Sequence, residues 1–386
     1  MNPTQFEKLI PATTNEGIDW SGLEDFFATC GYTDMASTPQ NPVFHAEGDV
    51  LTHTKLVCRE LQEMDAFQSL PGRQRTEVFL AALLHDIGKV RTTRWEDGAW
   101  ASPHHASTGS RIVREMLWRD FGLCAEAMAF RENVCALVRY HMLPVHLLNQ
   151  EEPERKARQV AALGELMPDF SWELLCLLAE ADVKGRIADD IEAGLEQVHL
   201  ARLLAEESGC LSGPYPFSGS YTKRAYLSGR KVQHDQPLYD DAWGEVLLLS
   251  GLPGTGKDTW IRQNAPELPM ISLDDIRREF GAAASGEQAK VIHTAQERAR
   301  MLLRSKQSFV WNATNITPEI RAEQVGLFER YGARVRVVYL EAPWETELAR
   351  NEGRCEKVPQ AAIENLLAKT VPPMPDEAQT VEWYCV

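Results

Sequence analysis

From about Asp49 to Leu204, apolar residues recur at the i, i+3, i+4, i+7 spacing of amphipathic helices. The pattern runs through LTHTKLVCRELQEM, RTEVFLAALLHDI, STGSRIVREMLWRDF, ENVCALVRYHML, ERKARQVAALGEL, SWELLCLLAEADVKG and DIEAGLEQVHLARLLAEE. Several of these stretches open near Ser, Thr, Asp or Pro, the residues that start helices. An all-α domain over residues 1–207 is expected. Residues 208–244 are rich in Gly, Pro, Ser and Tyr and read as a linker with some extended structure. After it the period changes. EVLLLSG (245–251), QSFVWNATN (307–315) and ARVRVVYLEAP (333–343) read as buried strands with helical stretches between them. That order predicts an α/β domain over 245–386, with a parallel sheet and crossover helices. The fold class is therefore multidomain, all-α followed by α/β, with no internal repeat.

The apolar pattern of the first half is interrupted in AALLHDIGKV (81–90), where His85, Asp86 and Lys89 fall inside a core-like segment. An imidazole and a carboxylate are not buried side by side without partners. Possible partners recur along the helical half: His45 and His53, His104 and His105, His141, then Asp182 with Arg186 on the next turn. Imidazole and carboxylate together suit Mn, Ni, Co, Fe or Zn, and such an ion would acidify a water and polarise a phosphoryl oxygen. Lys89 and Arg186 are placed to stabilise phosphate charge. Any one of these histidines, His45 and His104 above all, can equally be structural.

In the second half, GLPGTGKD (251–258) follows a strand and precedes a helix, as a phosphate-binding loop requires. Gly251, Pro253, Gly254, Thr255 and Gly256 let backbone N–H groups curve around phosphate oxygens, and Lys257 would reach the β- and γ-phosphates. Asp258 replaces the usual Ser or Thr, with Thr259 next. A carboxylate there can ligate Mg²⁺ directly or through water, and it repels phosphate unless the metal lies between them. In ISLDDIRREF (271–280), Asp274 is a candidate base for an acceptor hydroxyl and Arg277 a candidate clamp for an acceptor phosphate. Alternatively, Asp274 caps the following helix. Arg350 and Arg354, four apart, read as one helical face able to clamp a transferring phosphoryl group.

These C-terminal features resemble the 5′-OH polynucleotide kinase family, in which an Asp base, an Arg three residues on and paired lid arginines follow the loop. Asn312 in WNATNIT stands where that family commonly has Asp. The N-terminal set is similar to the HD phosphohydrolase superfamily, whose signature is H…HD…D on separate helices. That resemblance implies that His53, His85, Asp86 and Asp182 hold one metal, and that His105 and His141 match the extra histidines of two-metal members. HAEGDVLTHT and EADVKGR are close to HD domains found with tRNA nucleotidyltransferases, which act on 2′,3′-cyclic phosphates and 2′-phosphates of RNA ends.

The whole order resembles bacterial fusions of an HD phosphoesterase with a polynucleotide kinase. It implies a bifunctional end-healing enzyme that uses NTP (ATP or GTP) with Mg²⁺ and one or two divalent transition metals. Its partners would be RNA or DNA ends bearing a 5′-OH or a 2′,3′-cyclic phosphate, with sealing left to a separate ligase. The competing readings are a nucleotide or metabolite phosphohydrolase fused to a small-molecule kinase, and a nucleotide-sensing regulator.

Composition changes this picture little. A net charge of −16 disfavours non-specific duplex binding but permits a grip on one nucleic-acid end. The eight cysteines form no CxxC pair and are expected to be reduced, as in a cytoplasmic protein. No secretory signal precedes the first helix, and no apolar run is long enough to span a bilayer, so no membrane association is expected.

Overall fold

The computed structural model describes Phe6 and residues 17–28, 31–281, 288–354 and 357–386. It divides into two units, Met1–Tyr215 and Pro216–Val386. Among the described residues no helix is long and apolar enough to cross a membrane. Cys58, Cys124, Cys135, Cys176, Cys210 and Cys385 are not joined in disulfides; Cys30 and Cys355 lie outside the described residues.

The first unit is helical. Its main elements are α1 (Val50–Glu63), α2 (Gly72–Leu84), α3 (His105–Glu115), α4 (Met128–Tyr140), α5 (Trp172–Lys184) and α6 (Ile191–Glu207). Asp49 starts α1 by accepting the Thr52 N–H at 2.9 Å. Helix α4 packs on α2 and α3, while α5 packs on α1, α2 and α6. Residues Val78 to Leu84 of α2 are all fully buried, so the second half of this helix is apolar all round and lies in the core of the unit. Arg114 of α3 and Arg131 both donate to the buried Glu132 carboxylate at 2.9 Å, which ties α3 to α4.

Two features depart from the sequence expectation. A short hairpin, β1 (Arg94–Glu96) with β2 (Ala99–Ala101), follows the HD segment. Its Asp97–Gly98 turn has φ of 53° and 83°, the positive pair that tight hairpins need. Helix α2 also stops at Leu84, so His85 to Gly88 form a turn rather than a helix interior. Gly88 presses this turn against the start of α3. A Cβ there would lie 2.0 Å from the His105 carbonyl oxygen and 2.6 Å from Gly109 N.

In the second unit, residues 216–244 contain α7 (Ser220–Leu227), whose Arg224 pairs with Glu329 at 2.8 Å. The sheet comprises β3 (Glu245–Ser250), β4 (Met270–Ser272), β5 (Phe309–Asn312), β6 (Arg334–Glu341) and β7 (Thr380–Cys385). Its order is β4-β5-β3-β6-β7, all parallel. The helices are α8 (Lys257–Asn264), α9 (Leu273–Glu279), α10 (Gln288–Arg304), α11 (Pro318–Arg330), α12 (Trp344–Glu352) and α13 (Gln360–Leu367). Val246 and Leu248 join one core and Leu247 and Leu249 the other, so β3 is covered on both faces. The chain order reverses at β3, and its C-terminal end opens the crevice where such sheets bind ligands.

Candidate active sites

In the first unit, four imidazoles and two carboxylates converge. His85 and His141 follow the last residues of α2 and α4, where helix carbonyls lack intrahelical donors. His85 Nδ1 donates to Ala82 O at 2.8 Å, and His141 Nδ1 donates to Val138 O at 2.7 Å. His105, the first residue of α3, donates from Nδ1 to Ser102 O at 2.9 Å. A carbonyl only accepts, so each Nδ1 carries the proton and each Nε2 faces inward as a lone pair. His53, on α1, has its Nδ1 2.9 Å from the Glu47 carboxylate instead. Its Nε2 meets Asp182 of α5 at 3.0 Å.

Asp86 lies at the centre. Its Oδ2 is 3.3 Å from His85 Nε2, 3.8 Å from His53 Nε2 and 2.7 Å from Lys89 Nζ. Its Oδ1 is 3.4 Å from His105 Nε2 and 3.9 Å from His141 Nε2. Ligands 2.1 Å from one ion stand about 3.0–3.4 Å apart, so these spacings fit divalent-metal coordination. Asp86 Oδ1 and His85 Nε2 are buried with no hydrogen-bond partner, a costly arrangement that a cation would relieve. The donors form two groups that share Asp86: His53 with His85, and His105 with His141.

The electrostatics agree with a cation site. Burial would raise the Asp86 carboxyl, but the Lys89 ammonium and the His85 imidazole hold it well below the usual carboxylate range. Burial pushes His141 down to about 3 and lowers His105 as well, so both stay neutral and able to ligate. Burial also opposes charge on His53, yet the Asp182 and Glu47 hydrogen bonds raise it to about 9, so without a metal a proton takes its place. A cavity of about 650 Å³ opens over the cluster; Lys89, Arg186, Phe44 and Trp100 help to line it.

Of the other sequence candidates, Lys89 is engaged by Asp86 and by Gln40 Oε1 at 2.6 Å. Arg186 lies 3.7 Å from Asp190 and faces the cavity. His45 bonds to Glu47 at 2.8 Å, outside the two Asp86 groups. His104 joins neither: it precedes α3 with φ 57°. Gln40 and Glu47 were not among the sequence candidates. Glu47 was foreseeable, since a ligating histidine usually donates its second N–H to a carboxylate. It also accepts the Ile187 N–H at 3.0 Å, next to Arg186.

In the second unit, Gly251, Gly254 and Gly256 take φ of 147°, 94° and 86° as the loop leaves β3. A Cβ on Gly251 would lie 2.3 Å from Leu340 O. Pro253 sits in the turn, and Thr255 Oγ1 donates to Leu252 O at 2.9 Å. Lys257 folds back to donate to Gly251 O at 2.8 Å and Leu252 O at 2.7 Å. Burial lowers its pKa to about 8 against the attraction of Asp258, Glu347 and Asp274. Asp258 accepts from Asn312 Nδ2 at 2.7 Å, and the exposed Thr259 is met by Arg262 at 3.2 Å.

Ser272 caps α9, accepting the Asp275 N–H at 3.2 Å, so the capping role considered for Asp274 is taken. Asp274 instead pairs with Arg277 and lies 3.7 Å from Arg354. The expected shared helical face of Arg350 and Arg354 is not formed. Helix α12 ends at Glu352 with Gly353 as its cap, which leaves Arg354 beyond it. Arg350 stays on α12, its guanidinium 3.7 Å from where a Gly256 Cβ would stand. Glu347 of α12 is buried with both oxygens unpartnered, and burial pushes it up to about 8 beside Lys257. No sequence pattern marked it.

Comparison with known proteins finds a domain of each kind. Residues 49–164 match the HD domain model and residues 246–373 the AAA domain model. Asp182 lies beyond the HD match yet touches His53. An L-seryl-tRNA(Sec) kinase of Methanococcus maripaludis is 23% identical over 131 residues, 32% of this chain and 51% of that protein. A multifunctional CCA protein of Hahella chejuensis is 25% identical over 169 residues, 44% of this chain and 36% of that protein. The chain thus spans about half or less of the length of these curated relatives. A solved candidate kinase from Chloroflexus aurantiacus shares 18% identity over 38% of this chain and 86% of its own, with a TM-score of 0.32. The chain carries an HD domain at 49–164, followed by a P-loop kinase-like domain of the AAA type at 246–373.

Proposed function

We propose that this chain heals both ends of a broken RNA strand: its HD domain removes phosphate from a 2′,3′-cyclic end, and its P-loop domain phosphorylates a 5′-OH end. The observation that carries this reading is the pairing, in one chain, of a phosphate-releasing type of centre with a phosphate-donating one. Acting on one molecule the two would cancel; acting on opposite ends they complement each other. The identity of one relative as a seryl-tRNA kinase supports a hydroxyl carried on RNA as acceptor.

In the kinase half, Asp274, paired with Arg277 and 3.7 Å from Arg354, takes the proton of the 5′-OH. The 5′ oxygen bonds to the γ-phosphorus as the bond to the nucleoside diphosphate breaks. Lys257 and the two lid arginines, Arg350 and Arg354, balance charge on the transferring group. In the HD half, His53, His85 and Asp86, with Asp182 beside His53, would hold one divalent ion, and Asp86, His105 and His141 would hold a second. An ion of the Mn, Ni, Co, Fe or Zn class bound there would supply Lewis acidity and water activation. Arg186 holds the phosphate at the cavity wall, while Lys89 keeps Asp86 ionised. A first hydrolysis adds water across one ester P–O bond of the cyclic phosphate and frees one ribose hydroxyl; a second adds water across the remaining monoester bond, frees the other hydroxyl and releases inorganic phosphate.

Two variants separate the halves. Asp274→Ala is expected to abolish transfer from labelled ATP or GTP to a 5′-OH oligonucleotide and leave cyclic-phosphate hydrolysis intact. Asp86→Ala is expected to do the reverse and to lose bound metal. Transfer to small hydroxyl metabolites, with none to any RNA or DNA end, would overturn the reading in favour of a metabolite kinase.

A further inference from the structure

A phosphate loop of this type usually places a hydroxyl after the lysine to ligate Mg²⁺, with a carboxylate elsewhere in the site also serving the metal. Here both positions differ together. Asp258 follows Lys257 at the start of α8, and Asn312 ends β5, the strand beside β3. Asn312 Nδ2 donates to Asp258 Oδ1 at 2.7 Å. A carboxylate only accepts, so this contact fixes the orientation of the amide. Asn312 is 7% exposed, whereas Asp258 opens to solvent at the mouth of the loop. Among the described residues, Asp258 Oδ2 has no hydrogen-bond or ion-pair partner and is free to meet a cation.

We propose that the two positions have exchanged roles. Asp258 supplies the anionic Mg²⁺ ligand from the loop itself, and Asn312 holds it in place as a neutral donor from the strand. The inference rests on the nucleotide-binding reading of the loop and goes further by assigning the metal ligand. The pair is coupled by simple electrostatics. Two carboxylates 2.7 Å apart cannot both ionise, so Asp258 requires a neutral partner at 312. With a hydroxyl at 258 and an amide at 312, the pair would offer the metal no anionic ligand. The exchange also makes Mg²⁺ decisive for nucleotide recognition. With the ion absent Asp258 repels the phosphates; with the ion present it attracts the complex.

The test is nucleotide binding rather than turnover. ATP and GTP affinities are measured by calorimetry on the full chain, with excess Mg²⁺ and with EDTA. Wild type should show Mg²⁺ strengthening binding by about tenfold or more. Asp258→Ala should bind more tightly in EDTA and lose most of the Mg²⁺ enhancement; Asp258→Asn, which keeps the shape, should do the same. Asn312→Asp should also lose the enhancement, and the double variant Asp258→Ser with Asn312→Asp should regain it to within about threefold of wild type. The exchange is overturned if Asp258→Ala and Asp258→Asn keep the full enhancement, or if the double variant is no better than Asn312→Asp. If wild type binds neither nucleotide under either condition, the nucleotide-binding reading fails and the exchange falls with it.

Discussion

In the HD domain the candidate ligands come from segments between His53 and Asp182, and hydrogen bonds on their far sides aim the imidazoles. In the P-loop domain, eight consecutive residues make the phosphate cradle, largely with backbone. The first centre is buried and assembled from separate elements by packing; the second is local and leaves Asp258 open to solvent. A centre built by packing should fail when the elements carrying it are pushed apart. A local cradle should fail when its backbone is strained, and otherwise respond to charge.

Matched glycine substitutions probe this contrast with the largest expected effects. Gly251→Ala meets two penalties, a contact of 2.3 Å with Leu340 O and a φ of 147° that suits only glycine. It should destabilise the second unit by about 3 kcal/mol or more and abolish nucleotide binding. Gly88 has an ordinary φ of −65°, so Gly88→Ala meets only the close approach to α3. It should cost the first unit about 1–3 kcal/mol and lower metal content by displacing His105, with nucleotide binding unchanged. Denaturant unfolding, metal analysis and calorimetry on both variants check this. If Gly88→Ala kept full metal content, assembly by packing would be the wrong account of the HD centre.

A subtler change reaches the same centre through Glu47. The backbone carbonyls that aim His85, His105 and His141 cannot be mutated away, but the carboxylate that aims His53 can. Glu47→Gln keeps a possible acceptor and removes the charge, so it should weaken metal binding by about 10–100-fold without unfolding the domain. Asp182→Asn, which alters a proposed ligand, should do more. Competition against a metal-chelating dye measures both. Equal losses in the two variants would erase the distinction between holding a ligand and being one.

The same contrast explains what could be read before the structure. His85–Asp86 stood out because the pair interrupts a strongly apolar stretch, while His53, His105, His141 and Asp182 were picked out by their order along the chain, through the resemblance to the HD superfamily. Glu47 and Gln40 sit in irregular chain before α1, where no period exposes an unusual residue. The loop GLPGTGKD was legible because its chemistry is contiguous. Its surroundings were less so. Arg350 and Arg354, four apart, share a helical face on paper, yet Gly353 ends α12 between them. Helix α2 was expected to run through His85 and Asp86; the turn there depends on Gly88 packing against α3, a contact between segments remote in sequence. Strand β7 was missed because TVEWYC mixes polar and apolar residues after the Pro-rich 371–375, and as an edge strand it is only half-buried. The β1–β2 hairpin did carry a signal, Asp97–Gly98, that went unused.

Charge at the local cradle provides the smallest and most graded test. Burial lowers Lys257 from 10.5 to about 8 in the nucleotide-free protein. The neutral form is therefore favoured in the fold, and the stability it confers is complete above pH 10.5 and lost as the pH falls through about 8. Nucleotide binding has the opposite sign. Phosphates favour the ammonium and raise its pKa again, so binding above pH 8 must take up a proton. Affinity should be level from pH 7 to 8 and then fall, by at most about tenfold per pH unit for one titrating group. Calorimetry in buffers of different ionisation enthalpy should find proton uptake at pH 9 and little at pH 7. Lys257→Arg should lose this pH dependence, because a guanidinium stays charged throughout. If the slope survived in Lys257→Arg, the titrating group would lie elsewhere; the buried Glu347, itself pushed up to about 8, is the nearest candidate. That outcome would move pH control of the loop from its own lysine to α12, making this site too dependent on an element remote in sequence.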